Sequence, residues 1–191
     1  MDIQNKNNSA KKQIALFKKT GMIPVNIPAM KKKKILYIDM DGVVADFWRA
    51  IQFHQPKIDD KRYFPTYADQ EKEVDAICER NPHIFRYLLP IKGAIEATKP
   101  LFKKFDIYFL STPMWEIPES YTDKRLWLEK HYGNLAHKRL ILTNRKDLAI
   151  GDYLIDDRLK NGSEKFKGKF IHFGTKAFPD WKSVAEYLKT Q

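Results

Sequence analysis

The chain has 191 residues, of which 43% are hydrophobic and 31% are charged, a composition that suits one globular domain and argues against a disordered chain. Apolar runs are too short for a membrane-spanning helix, and the N-terminus lacks the apolar core of a secretory signal. Cys78 is the only cysteine, which excludes an internal disulfide and favours a reducing compartment. We therefore expect a cytoplasmic protein without a membrane partner.

The formal charge of +11 is concentrated at the N-terminal end. Residues 1–34 contain nine lysines and one acidic residue, so they contribute +8 and leave only +3 for the other 157 residues. The sequence predicts a basic, flexible leader over residues 1–30. Such a leader is either a solvated tail or an arm for an anionic partner. We favour the tail, and so we do not expect nucleic acid as a partner.

Apolar segments that predict β-strands alternate with segments that predict helices. The strands are predicted over 35–38, 106–111, 139–143, 153–157 and 169–174. The helices are predicted over 92–104, 121–132, 145–150 and 181–189, the first of them kinked or split at Pro100. This alternation predicts an α/β fold with a doubly wound, mostly parallel sheet and helices on both of its faces.

Two aspartates follow the first strand at alternate positions. Side chains at i and i+2 of an extended chain leave on the same side, so Asp39 and Asp41 can face one point beyond the strand. Gly42 lets the chain turn there at little steric cost. Because neighbouring carboxylates repel each other, a hard divalent cation such as Mg²⁺ between them would stabilise the pair. A polar strand end followed by a turn is the alternative interpretation.

Side chains suited to phosphate chemistry also follow the later predicted strands. In parallel sheets, ligands bind at the carboxyl ends of the strands, so we expect these side chains to converge on one rim. The carboxylates would hold a metal, and the hydroxyls and lysines would hold phosphate oxygens. The candidate residues are Asp39, Asp41, Ser111, Thr112, Lys124, Lys146, Asp156 and Asp157.

These motifs resemble, in order, the four signatures of the haloacid dehalogenase superfamily of phosphohydrolases. The matching positions are Asp39-Met40-Asp41-Gly42-Val43, then Ser111, Lys124 and Asp156-Asp157. A finer resemblance is to the 5′(3′)-deoxyribonucleotidases. It is carried by Asp41-Gly42-Val43-Val44-Ala45-Asp46-Phe47, Leu89-Pro90-Ile91-Lys92-Gly93-Ala94, Ser111-Thr112-Pro113, Leu142-Thr143 with Lys146, and Leu154-Ile155-Asp156-Asp157-Arg158. The resemblance implies a Rossmann-like catalytic core over 31–47 and 89–191, with a small helical cap over 48–88 inserted after the first strand.

The resemblance also implies a reaction, namely Mg²⁺-dependent hydrolysis of (deoxy)nucleoside monophosphates through an aspartyl-phosphate. In this interpretation Asp39 is the nucleophile and Asp41 is the general acid and base, with the backbone carbonyl of Asp41 on the metal. Asp156 and Asp157 would also serve the metal, although which of the two contacts it directly stays open. Ser111, Thr112, Lys124 and Lys146 would hold the phosphoryl group, with Lys124 counted among the catalytic residues, and Phe47 would contact the base or sugar.

Alternatives to this function remain at this stage. The substrate could be another small phosphate ester or a 3′-phosphate end of a nucleic acid, and the protein could be a binding protein that has lost turnover. The aromatic residues of the predicted cap cannot be aligned with the base-selecting aromatic residues of the family, so base and sugar preference stay open. The sequence also leaves a homodimer open.

Overall fold

The computed structural model describes residues 32–191, and the predicted leader over residues 1–30 lies outside the described residues. Within the described range, no helix combines the length and the apolar character that crossing a membrane requires. The chain order of the elements is β1 Ile35–Ile38, α1 Phe47–His54, α2 Tyr67–Arg80, α3 Ile84–Tyr87, α4 Ala94–Leu101, β2 Asp106–Ser111, α5 Glu119–Tyr132, β3 Leu140–Leu142, β4 Tyr153–Asp156, β5 Lys169–His172 and α6 Trp181–Lys189.

The five strands form one parallel sheet in the order β3-β2-β1-β4-β5. Strand β1 lies at the centre, where Ile38 is aligned with Phe109 of β2 on one side and with Ile155 of β4 on the other. The chain builds β2 and β3 on one side of β1 and then crosses to build β4 and β5 on the other. Ligands in such sheets bind where the order reverses, which here is the carboxyl end of β1 and β4. The predicted α/β class with a parallel sheet is confirmed.

Hydrophobic side chains are buried on both faces of the sheet. Leu36 and Ile38 of β1 belong to the larger core, to which α4, α5 and α6 also contribute buried side chains. Tyr37 belongs to a smaller cluster with Leu110, Leu154 and Phe166, and no residue of a described α-helix belongs to that cluster. The central strands β1, β2 and β4 are therefore mostly apolar, as expected where both faces of a sheet are covered.

The helix predicted over 145–150 is wrong. A short 3₁₀ turn over Lys146–Leu148 takes its place. Lys146 is buried there and ion-paired with Asp39 and Asp156, so contacts with the ends of β1 and β4 fix this segment. Helix α4 runs over Ala94–Leu101 and is therefore shorter than the predicted 92–104, and Pro100, which has no N–H to donate, lies in its last turn.

The helices α1, α2 and α3 lie in a segment that leaves the core and returns to it at one point. The backbone N–H of Asp46 donates to Leu89 O at 2.7 Å, and that of Ile91 donates to Val44 O at 2.9 Å. Outgoing and returning chains therefore run side by side next to the carboxyl end of β1. The predicted domain boundaries, with a cap over 48–88, stay a prediction.

Candidate active site

A tight loop after β1 positions the first acidic residues of the site. The backbone of Asp39 is still hydrogen-bonded to β4, because its N–H donates to Ile155 O at 2.9 Å. The carbonyl of Met40 then accepts from the N–H groups of Val44 and Ala45, at 2.9 and 2.8 Å, which closes the loop. Gly42 has a φ of +76°, and a Cβ at this position would lie 2.2 Å from Asp157 Oδ2. A glycine is required here by both the backbone conformation and the nearby carboxylate.

Three carboxylates meet beyond the ends of β1 and β4. Asp39, Asp156 and Asp157 each place a carboxylate oxygen within 4.8 Å of the others. Burial and the neighbouring Asp39 raise the pKa of Asp156 to about 6 and the pKa of Asp157 to about 7. The Oδ1 atom of Asp157 is buried and has no hydrogen-bond partner among the described residues. A group of carboxylate oxygens that repel one another, one of them without a donor among the described residues, fits a hard divalent cation such as Mg²⁺.

Lys146 balances part of this negative charge. Its ammonium lies 3.0 Å from Asp39 Oδ1 and 2.6 Å from Asp156 Oδ2, and the residue is 3% exposed. Burial alone would lower the pKa of Lys146, but the two carboxylates outweigh burial and raise the pKa above its ordinary value. Lys146 is therefore a fixed positive charge between two of the three clustered aspartates.

The Asp41 carboxylate is not part of the three-carboxylate group. One of its oxygens accepts a short hydrogen bond from the ammonium of Lys124, which is itself 1% exposed, and the other has no partner among the described residues. Lys124 also lies over the ring of Phe85, with 4.5 Å between its Nζ and the ring centroid. The prediction assigned the Asp41 backbone carbonyl to the metal, and that assignment stays a prediction.

Two hydroxyl residues lie at the carboxyl end of β2 beside β1: Ser111 ends the strand and Thr112 follows it. Ser111 is fully buried, and its Oγ has no hydrogen-bond partner within residues 32–191. Thr112 differs, because its Oγ1 donates to the carbonyl of Thr143 at 2.9 Å. Of the predicted hydroxyl pair, Ser111 is the one whose hydroxyl has no partner in the described part of the chain.

A pocket of about 440 Å³ opens between this rim and the inserted helices. Phe47 lines it and stacks on Phe85, which also lines it. A small recess adjoins the pocket, and the two share Asp41, Thr112, Arg158, Lys160 and Asn161 among their lining residues. The predicted residues are distributed around these spaces: Asp39, Asp41, Thr112, Lys146 and Asp156 line the recess, Phe47 and Asp157 line the pocket, and Ser111 and Lys124 are buried beside them.

Sequence reasoning missed three charged residues of this region. Arg158 and Lys160 line both the recess and the pocket, and their position directly after the acidic pair of β4 was the available signal. Asp123 is fully buried and accepts from Arg86 Nε at 2.8 Å, with His83 Nδ1 at 3.1 Å. It fastens α3 to α5 next to Lys124, a role for which the sequence offered no signal because its partners lie about 40 residues away in the chain.

Comparisons of the sequence with known proteins agree with one another. The family model described as "5′ nucleotidase, deoxy (Pyrimidine), cytosolic type C protein" matches residues 33–179. A protein of Vibrio phage KVP40 with the name "Putative 5′(3′)-deoxyribonucleotidase" is 46% identical over 159 residues, which cover 83% of this chain and 86% of that protein. The 5′(3′)-deoxyribonucleotidase of Bacillus subtilis strain 168 is 31% identical over 160 residues, which cover 74% of this chain and 85% of that protein.

Solved structures resemble the fold at low sequence identity. A haloacid dehalogenase-like family hydrolase from Xanthomonas campestris matches with a TM-score of 0.51 and 12% identity, over 83% of this chain and 91% of that one. A HAD-hydrolase from Bacillus subtilis, crystallised with magnesium, matches with the same TM-score of 0.51 and 12% identity, over 83% of this chain and 99% of that one. At this identity the likeness shows the fold alone.

Proposed function

The chain belongs to the 5′(3′)-deoxyribonucleotidase family of the haloacid dehalogenase superfamily, and from that membership we propose that it hydrolyses deoxynucleoside monophosphates through a phosphorylated Asp39. As a member of this family it is a phosphoric monoester hydrolase. One observation carries the detailed proposal: two aspartates from a single loop are held by two different buried lysines. Asp39 is paired with Lys146 and Asp41 with Lys124. The two neighbouring carboxylates therefore have different surroundings, which suits Asp39 as the nucleophile and Asp41 as the general acid and base.

In the first half of the proposed reaction, a carboxylate oxygen of Asp39 attacks the phosphorus of the substrate. A bond forms between that oxygen and phosphorus, and the bond between phosphorus and the ester oxygen breaks. Covalent catalysis of this kind replaces one difficult step with two easier ones. The leaving alkoxide takes a proton from the Asp41 side chain, which acts as the general acid.

In the second half, water attacks the phosphorus of the aspartyl-phosphate. Asp41, now ionised, accepts the proton of that water, the bond between Asp39 and phosphorus breaks, and inorganic phosphate leaves. Lys124 orients the Asp41 carboxylate in both halves. Because one oxygen of Asp41 has no partner among residues 32–191, it can exchange a proton while the other oxygen stays bound to Lys124.

Asp39, Asp156 and Asp157 are the residues that would hold Mg²⁺. A bound Mg²⁺ would offset the repulsion between the carboxylates and the anionic phosphate, which is the main chemistry such an ion supplies here. The raised pKa values of Asp156 and Asp157 support this assignment. They show that the negative charge of both carboxylates is disfavoured by burial and by Asp39, and a bound cation would relieve that cost. In the proposed site, the Ser111 hydroxyl, Thr112 and Lys146 hold the phosphoryl oxygens.

The pocket next to the recess supports a nucleoside as the rest of the substrate. Its volume of about 440 Å³ exceeds the space that a phosphate group alone would fill, and aromatic rings line its wall. Base-to-aromatic stacking is worth roughly 1–3 kcal/mol and accepts different bases. We therefore assign residues 48–88 the role of a cap that contacts the nucleoside, with only modest discrimination among bases.

A substrate screen tests this function directly. The purified full chain is assayed for phosphate release from the four deoxynucleoside monophosphates, matching ribonucleotides and several sugar phosphates, with Mg²⁺ and with EDTA. Deoxynucleotides should be hydrolysed fastest, and EDTA should stop the release. Faster hydrolysis of sugar phosphates would overturn the nucleotide assignment and leave the phosphatase assignment standing, whereas binding without release would point to a protein that has lost turnover.

A further inference from the structure

The loop after β4 holds the backbone of Lys160 in a fixed position. The N–H of Arg158 donates to Asp156 Oδ1 at 3.0 Å, so the loop begins on a member of the acidic group. Ser163, which is buried, then closes it: its hydroxyl accepts from the N–H of Lys160 at 3.1 Å and donates to the carbonyl of Arg158 at 2.7 Å. The backbone of Lys160 is therefore tied to the rim that carries the proposed reaction.

The side chain of Lys160 crosses from this loop to helix α2. Its ammonium forms an ion pair with Glu71 and lies 5.2 Å from the ring centroid of Tyr67. Among the ion pairs within residues 32–191, this is the one that joins α2 to the loop after β4. Lys160 also lines both the recess and the larger pocket, so its charge lies between α2 and the proposed phosphate position.

Helix α2 presents negative charge to the same pocket. Glu71 and Asp75 both line the pocket, four residues apart on one side of the helix. Burial raises the pKa of Asp75, the nearby carboxylates of Glu71 and Glu79 raise it further, and Lys160 opposes the shift. An anionic substrate entering this pocket would meet two acidic side chains. Arg158 and Lys160 both line the pocket and the recess, and Lys160 is the one of the two that is ion-paired with α2.

We propose that Lys160 is a positioning residue with two tasks: it holds α2 over the pocket through Glu71, and it screens the substrate phosphate from the α2 carboxylates. The second task rests on the proposed function, whereas the first does not. The two tasks make different demands on the side chain. Holding α2 needs the ion pair with Glu71, and screening needs only the positive charge at the rim of the recess.

Two substitutions separate these tasks. Lys160→Met keeps most of the side-chain stem but removes the charge, so both tasks are lost. Glu71→Gln breaks the ion pair, leaves the charge of Lys160 in place and removes one repelling carboxylate. Lys167→Ala is a matched control, because Lys167 is an exposed lysine of the same region that lines neither the recess nor the pocket.

Steady-state kinetics on a deoxynucleoside monophosphate and amide hydrogen exchange of α2 without substrate are the two measurements. Lys160→Met should raise KM about tenfold with little change in kcat, as expected for one lost charge-assisted contact. Glu71→Gln should leave KM unchanged or lower it. Both variants should speed exchange across α2, and Lys167→Ala should change neither quantity.

The kinetics and the hydrogen exchange test different parts of the proposal. If the wild-type chain hydrolyses no nucleotide, the proposed function fails, and hydrogen exchange still decides whether Lys160 holds α2. If the wild type is active, an unchanged KM in Lys160→Met overturns the screening role, as does an equal rise of KM in Glu71→Gln. Unchanged exchange of α2 in both variants overturns the holding role.

Discussion

The rings of Phe47 and Phe85 lie parallel, with an interplanar angle of 3° and centroids 5.6 Å apart. Phe47 begins α1 and Phe85 lies in α3, so the stack joins the first and last helices of the inserted segment. Phe85 also lies against Lys124, the partner of Asp41. Because both rings line the pocket, its aromatic wall is in direct contact with the lysine that orients the proposed general acid.

The aromatic wall can be tested at Phe47. If Phe47 contacts the base or sugar, Phe47→Ala should raise KM for a deoxynucleotide about tenfold, since a stacking contact is worth roughly 1–3 kcal/mol. The same substitution should affect p-nitrophenyl phosphate much less, because its small leaving group needs no such wall. Phe53→Ala is the control, since Phe53 is 81% exposed and does not line this pocket. An equal loss on both substrates would make Phe47 a packing residue.

The pair between Lys124 and Asp41 should matter for both stability and rate. Lys124→Met leaves a largely buried carboxylate without its cation, a change that typically costs about 3–5 kcal/mol. We expect a lower free energy of unfolding by denaturant and a lower kcat, because Asp41 loses its orientation. Lys130→Met on the same helix, at an exposed position, should change neither.

A double variant separates the charge pair from packing. In Asp41→Asn combined with Lys124→Met, the uncompensated charge is gone, so the double variant should be more stable than Lys124→Met alone. Activity should stay low in the double variant, because the proposed acid and base is missing. Equal stability of the two variants would mean that the Lys124 stem, and not its charge, stabilises the fold.

The strands were predictable because each contains a short apolar run, which is a local property of the sequence. Helix α6 was predicted over its observed bounds of Trp181–Lys189, where Asp180 caps its first turn. The segment around Lys146 was not predictable in the same way. There Lys146 is ion-paired with Asp39, which follows β1, and with Asp156, which ends β4. A 3₁₀ turn forms in place of the expected helix.

The candidate site shows the same division between local and distant information. That the carboxylates of β1 and β4 would meet followed from the rule for parallel sheets. Which lysine pairs with which carboxylate did not follow from any such rule, because the partners lie far apart in the chain. Asp41 and Lys124 are 83 residues apart, and Glu71 and Lys160 are 89 residues apart. No local pattern encodes such pairs, and only the folded chain specifies them.

The raised pKa values of Asp156 and Asp157 predict how stability depends on pH and metal. A carboxyl group whose pKa is higher in the folded than in the unfolded chain stabilises the fold when protonated, and this contribution is lost as pH rises through the folded-state pKa. For these residues the loss falls between about pH 4 and the values of about 6 and 7. In EDTA, the free energy of unfolding should therefore decrease from pH 5 to pH 8, on the order of 4 kcal/mol.

Magnesium should counteract this loss, and increasingly so at higher pH, because the ionised carboxylates are its ligands. Denaturant unfolding at pH 5 and pH 8, with EDTA and with Mg²⁺, measures the effect. Asp156→Asn combined with Asp157→Asn serves as control and should remove both the pH-dependent loss and the Mg²⁺ response. An Mg²⁺ response that survives in this variant would place the ion elsewhere.

The nucleophile is tested most sharply at Asp39. Asp39→Asn keeps the shape of the side chain and removes the attacking oxygen's charge, so turnover should fall below detection while the far-UV circular dichroism of the fold is kept. A covalent intermediate also predicts that acid-quenched wild-type enzyme carries phosphate on the peptide containing Asp39, which mass spectrometry can identify. Beryllium fluoride should inhibit the wild type, because it mimics a phosphoryl group on a carboxylate. Asp59→Asn, at an exposed position, should match the wild type in all three assays.

The Asp39 variant also reports on Lys146. With Asp39 neutral, Lys146 keeps Asp156 as its one ion-pair partner among the described residues, so the protein should lose part of its stability without unfolding at room temperature. Substrate binding should persist, because the cations that face the phosphate are still present and one negative charge near it is gone. The expected result is therefore a variant that binds a deoxynucleotide and does not hydrolyse it, which equilibrium dialysis can show. Substantial hydrolysis of any phosphate monoester by Asp39→Asn would mean that water or another side chain attacks phosphorus directly.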